Sequence, residues 1–142
     1  MHEMKKNHVL HTLFVFLTLL TACSPTPVTV EEAVLTVGAK VYTQSDLEAF
    51  GTTNADYTNK DGETTTYSVV SLTALLEDAG LTGAGDTLVF TAADGYQADM
   101  DLDDALACAN CIVAFDNGGL RMVMPELSSK LQVKDVIEIS AQ

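Results

Sequence analysis

Residues 87–102 read Thr87-Leu88-Val89-Phe90-Thr91-Ala92-Ala93-Asp94-Gly95-Tyr96-Gln97-Ala98-Asp99-Met100-Asp101-Leu102. The first six form an apolar and β-branched run of strand length, and Asp94-Gly95 is a turn pair. From Tyr96 to Leu102 the apolar residues occupy even positions and the polar ones odd positions. A period of two puts alternate side chains on opposite faces, which predicts a hairpin whose second strand is half buried. Asp101-x-x-Asp104 then opens a short helix running to Ala107, because acidic side chains suit the free N–H groups of a first turn.

Working outward, Ser71 to Gly80 is the clearest helix. Leu72, Leu75, Leu76 and Ala79 share one face, Ser71 can cap the start, and Gly80 supplies a left-handed stop. Ala33 to Val37 reads as a first strand, closed by a turn at Gly38. Ser45-Asp46-Leu47-Glu48 reads as a capping box opening a short helix that ends near Phe50-Gly51. Residues 52–64 are polar, with a turn at Asp61-Gly62, and Thr65 to Val70 reads as a strand. Ile112–Phe115, Leu120–Met124 and Asp135–Ile139 complete the set, with a turn at Asn117-Gly118-Gly119. Seven short strands with two or three short helices make an α+β domain, single, mixed and sheet-rich, over residues 33–142.

The N-terminus carries a different signal. Lys5 and Lys6 precede an apolar run from Val9 to about Leu20. That run has the length of a signal-peptide core and is short for a membrane span, which needs ~20 apolar residues. Leu20-Thr21-Ala22-Cys23 closes it and resembles the lipobox of bacterial lipoproteins. The resemblance implies cleavage before Cys23 and acylation of its thiol. Residues 1–22 are thus expected as a lipoprotein signal peptide and residues 23–32 as a tether containing Pro25 and Pro27. The expected location is extracytoplasmic, lipid-anchored to a bacterial membrane, with the outer membrane as destination where the host has one.

Composition excludes several chemistries. His2, His8 and His11 are the only histidines, and all precede Cys23. A mature chain therefore lacks Ser-His-Asp and Cys-His nucleophile systems and every imidazole metal ligand. Residues 23–142 carry five Lys and Arg against 19 Asp and Glu. Such a surface repels nucleic acid, and cationic partners suit it. Asp99, Asp101, Asp103 and Asp104 do not make an EF-hand, because Asp104 and Asn110 stand where that loop needs glycine and an acid. No metal site is expected.

Cys108 and Cys111 form a C-x-x-C pair, a spacing that serves as a redox centre, half of a metal site or a disulfide. In thioredoxin-type proteins the motif opens a helix, whose N-terminus lowers the thiol pKa. Here it follows a helix, and the carbonyl end and nearby acids disfavour thiolate. A structural disulfide is the leading reading in an exported protein; free thiols, a redox pair and a shared metal site are the alternatives.

The order of motifs carries a wider resemblance. Ser71-Leu72-x-x-Leu75-Leu76-x-x-Ala79-Gly80, Phe90 to Tyr96, Gly119-Leu120-Arg121-Met122-Val123-Met124-Pro125 and Val133 to Ile139 follow one another as in the oxidoreductase molybdopterin-binding domain, the fold of sulfite oxidase. The resemblance covers roughly residues 33–142. It implies a mixed sheet-rich fold and a pterin-bound molybdenum held by one cysteine ahead of the Leu-x-x-Leu-Leu helix. Residues 54–70 contain no cysteine, and the family's cofactor-binding histidines have no counterpart. Arg121 matches the family's Leu-Arg-x-x-x-Pro arginine. The sequence thus points to a degenerate, non-catalytic binding or accessory module for a small molecule or protein. No cofactor is expected, and molybdopterin is the alternative. Asp94, Tyr96 and Arg121 are the candidate ligand-cleft residues. The remaining alternatives are a molybdopterin-dependent oxidoreductase or electron-transfer accessory, and a thiol–disulfide protein.

Overall fold

The computed structural model describes residues 30–142; the expected lipobox and signal peptide lie outside them. Nine strands, three short helices and a 3₁₀ turn follow in order: β1 (Ala33–Val37), β2 (Lys40–Thr43), α1 (Gln44–Glu48), β3 (Thr53–Thr58), β4 (Thr64–Ser71), α2 (Leu72–Asp78), β5 (Thr87–Ala92), β6 (Gln97–Asp101), α3 (Leu102–Ala107), β7 (Ile112–Asp116), β8 (Gly119–Val123), the turn Ser129–Leu131, and β9 (Val136–Ala141). This is the expected α+β, sheet-rich architecture. No helix among the described residues is long and apolar enough to cross a membrane.

The strands form two sheets, ordered β2-β1-β9-β5-β6 and β3-β4-β7-β8. The last strand enters the middle of the first sheet, parallel to β1 and antiparallel to β5. The β5–β6 hairpin has the register that its alternation requires: Phe90 faces Ala98, and Leu88 faces Met100. Ala98 and Leu102 are buried while Asp99 and Asp101 are exposed. Asp101 caps α3 by accepting from the N–H groups of Asp103 and Asp104.

Helix α2 buries Leu72, Leu75 and Leu76 completely, each contributing about 1.5–3 kcal/mol relative to exposure. Ser71 Oγ accepts from Ala74 N–H at its start, and Gly80 takes φ 71° at its end. One core joins both sheets and all three helices through side chains such as Leu35, Leu47, Leu75, Phe90, Leu102, Met122 and Ile139.

Three expectations change. The capping box of α1 is Thr43 with Asp46, two residues ahead of Ser45–Glu48: Thr43 Oγ1 accepts from Asp46 N–H, and Asp46 Oδ2 accepts from Thr43 N–H. The polar stretch 52–64 holds a strand, Thr53–Thr58, and Lys40–Thr43, which the sequence left unassigned, is another. β3 is all polar except Ala55 and Tyr57, which alternate with exposed residues and pack on β4. Tyr96 falls in the turn ahead of β6 and is 46% exposed, outside the buried face of the alternation.

Candidate ligand cleft

Asp94 and Tyr96 form the β5–β6 turn. Asp94 Oδ1 accepts from Tyr96 N–H at 2.9 Å, and Gly95 takes φ 88°. Short Asx contacts of this kind shape hairpins. The Tyr96 hydroxyl donates to the carbonyl of Lys130 at 3.1 Å, tying the turn to the segment after β8.

Arg121 lies elsewhere, on β8 in the other sheet. It is the one polar residue buried among those described, at 8% exposure. Its Nη1 donates to the Tyr67 hydroxyl at 3.0 Å and to Asp116 Oδ2 at 3.4 Å. Its guanidinium carbon sits 5.4 Å from the Tyr57 ring centroid and 5.5 Å from that of Tyr67. Cation–π attraction to both rings and a small cluster of Val69, Ala114 and Val123 hold it on that sheet face. The structure therefore does not gather Asp94, Tyr96 and Arg121 around one cavity.

A cavity with a volume of about 520 Å³ opens between the two sheets. Ala33 and Val34 of β1 with Val136 and Ile137 of β9 form one wall; Phe115, the 116–119 turn and Leu120 form the other. Its charged groups are Glu32, Asp116 and Asp135, and no lysine, arginine, serine, threonine or cysteine lines it. Asn117 and Asp135 hold left-handed backbone at φ 46° and 51°, a conformation that Asn and Asp tolerate better than most side chains. These cleft residues were not legible in the sequence: Glu32 reads as tether, Asp116 falls between the expected strand Ile112–Phe115 and the turn, and Asp135 reads as a strand start. The nearest signal was the Asn117-Gly118-Gly119 turn that carries the rim.

Cys108 and Cys111 are joined by a disulfide, with Cα atoms 5.4 Å apart. Ala109-Asn110 is the turn that brings them together. Cys111 is fully buried in the core, and its carbonyl accepts from Leu72 N–H at 3.1 Å, at the start of α2.

A second hollow beside β2 is structural in its chemistry. The Tyr42 hydroxyl donates to Asp78 Oδ2 at 2.6 Å, and Lys40 pairs with the same oxygen. The Lys40 ammonium, and then the Tyr42 hydroxyl, hold the Asp78 carboxyl below its ordinary range. Burial, reinforced by Asp78, pushes the Tyr42 phenol well above its ordinary value.

No protein-family model matches the chain, and no curated protein matches it. A solved structure of similar fold is the sulfane dehydrogenase SoxCD from Paracoccus pantotrophus, at TM-score 0.60 and 18% identity over 76% of this chain. The chain spans 37% of the length of that SoxCD chain. This likeness shows the fold, a distant structural similarity to an oxidoreductase.

The donor chemistry does not fit a cysteine-held molybdopterin. Both cysteines of residues 30–142 are spent in the disulfide, and that range contains no histidine. A phosphate-bearing pterin is an anion, whereas the cleft presents three carboxylates and no cation. Arg121, the residue matching the family motif, already has Tyr67 and Asp116 as partners.

Proposed function

We propose that the protein is a lipid-anchored, extracytoplasmic binding module that uses an oxidoreductase-type fold without its catalysis. The observation that carries this reading is the cleft between the sheets. Its volume of about 520 Å³ falls in the range of small-molecule sites, which hold a few polar groups against apolar walls. The lining offers carboxylates, the Gln44 and Asn117 amides and backbone for recognition but no thiol, hydroxyl or amine nucleophile. Fold likeness alone carries little functional weight, so the molybdopterin-dependent alternative is weaker: its thiolate ligand has no counterpart here.

The anchor and the cleft are close in sequence. Glu32 on the cleft wall lies nine positions after Cys23, a reach of at most roughly 32 Å at ~3.6 Å per residue. An acyl chain on Cys23 would thus keep the cleft within that distance of the membrane. Glu31 Oε1 accepts from Ser45 N–H at 3.0 Å, which docks this end of the chain on the domain.

The test is expression of the full chain in a host that makes molybdopterin, followed by metal and pterin analysis of the membrane-extracted protein. The expected result is substoichiometric molybdenum and no released pterin. One molybdenum and one pterin per chain would overturn the non-catalytic reading.

A further inference from the structure

We infer that the cleft between the two sheets takes an organic cation that carries an apolar portion. This rests on the reading of the cleft as a binding site and adds the class of its ligand. Glu32, Asp116 and Asp135 are the charged groups on the lining, with no lysine or arginine among them. Asp116 is partly satisfied by Arg121 and by the Asn117 side-chain amide. Glu32 and Asp135 have no ion-pair partner among the described residues. Val34, Val136 and Ile137 lie on the same wall, on the strands that Glu32 and Asp135 precede, and Ile137 is 46% exposed.

Gly119 shows how the acidic wall is built. A Cβ at this position would lie 2.9 Å from Asp135 Oδ1, and its backbone is not in the left-handed region that otherwise calls for glycine. The missing side chain leaves the space that the Asp135 carboxylate fills at the cleft wall. Metal binding needs convergent donors, and no group of three or more His, Cys, Asp or Glu among the described residues could hold an ion. Carboxylates spread around an apolar hollow suit instead a charge attached to a hydrocarbon body, attracted by the acidic surface as a whole.

The experiment is a titration of the full chain in nonionic detergent, by calorimetry and by amide chemical shifts. The probes are benzylammonium, benzyl alcohol and benzenesulfonate. Benzylammonium is expected to saturate, moving the amides of Gly118, Gly119, Asp135 and Ile137. Asp135→Asn, at an exposed position, keeps the side-chain shape and tolerates the left-handed backbone, and it is expected to weaken binding about threefold or more through loss of a nearby charge. Glu32→Gln, at an exposed position, is expected to weaken it in the same direction and guards against a folding defect in the first variant. Equal affinity for the alcohol or the sulfonate, or unchanged affinity in both variants, overturns the cationic inference while keeping the cleft as a binding site. A cleft silent to all three probes overturns both.

Discussion

Arg121 on β8 reaches across β7 to donate to the hydroxyl of Tyr67 on β4, at 3.0 Å. Its Nε is buried without a partner. The guanidinium is thus held by one good hydrogen bond, a longer contact to Asp116 and two aromatic faces. A buried charge in this setting stabilises less than its contacts suggest, because its desolvation offsets them. Arg121→Ala is expected to cost about 2–3 kcal/mol through lost stem packing and unpaired neighbours. Arg121→Met, which keeps the stem and removes the charge, is expected to cost clearly less. Tyr67→Phe should cost about 1 kcal/mol. Urea denaturation of the three variants checks the order, and a methionine variant as unstable as the alanine one would show that the ionic contacts dominate.

The Lys40–Tyr42–Asp78 group predicts opposite pH limbs. The Asp78 carboxyl is held below its ordinary 3.8, by Lys40 first and then by Tyr42. A depressed carboxylate contributes stability above its unfolded pKa and loses it as pH falls through the folded one. The stabilising contribution of Asp78 should therefore fade below about pH 3.8. Asp46, lowered chiefly by the Thr43 N–H, adds to the same limb. Tyr42 runs the other way: its phenol ionises near 10.0 when unfolded and higher when folded, so stability should fall as pH rises past 10.0. Urea midpoints measured against pH are expected to lose the alkaline limb in Tyr42→Phe. Asp78→Asn should lose part of the acid limb. An alkaline limb unchanged in Tyr42→Phe would assign it to other groups.

Replacing both Cys108 and Cys111 by alanine is expected to cost about 2 kcal/mol and to leave ligand binding in the cleft intact. The closed loop is short, so its entropic constraint is at the small end. Cys111 is fully buried, and only Cys108 offers partial access to an attacking thiolate. Equilibration with a dithiothreitol or glutathione buffer should accordingly be slow at neutral pH. Rapid exchange, with a potential near those of catalytic oxidoreductases, would reassign the pair to thiol chemistry.

How far the fold could be read depended on the kind of pattern each segment carries. The β5–β6 hairpin and α2 were legible because their faces differ sharply: Ala98 and Leu102 alternate with Asp99 and Asp101, and Leu72, Leu75 and Leu76 recur at helical spacing. β3 was not, since its strand face holds only Ala55 and Tyr57 among threonine, asparagine and aspartate, and pairing with β4 decides its state. The short β2 was missed because it has one buried residue, Tyr42. The disulfide was the leading of four readings of the C-x-x-C spacing, favoured by the expected export, with helix polarity counting against a reactive thiolate. The cleft had no such signature. Glu32 and Asp135 are far apart in the chain and share a wall because β9 returns beside β1, while Asp116 comes from β7 of the other sheet.

Cys23 provides the remaining prediction. The residues Leu20-Thr21-Ala22-Cys23 follow an apolar run behind Lys5 and Lys6, and the proposed processing places a lipidated cysteine at the mature N-terminus. Each acyl methylene buried in the bilayer contributes ~0.8 kcal/mol, and more than one chain makes the anchoring durable. The wild-type chain is therefore expected in the detergent-soluble membrane fraction, with its N-terminal peptide heavier by the mass of the acyl groups. Cys23→Ser removes the thiol that carries the lipid. That variant is expected either to keep residues 1–22 or to be released unlipidated, while its disulfide and urea midpoint stay as in the wild type, because the disulfide and the core are built from residues within 33–142. Mass spectrometry settles the matter: an unmodified Cys23 in the mature wild-type protein would remove the anchor and, with it, the placement of the cleft beside a membrane.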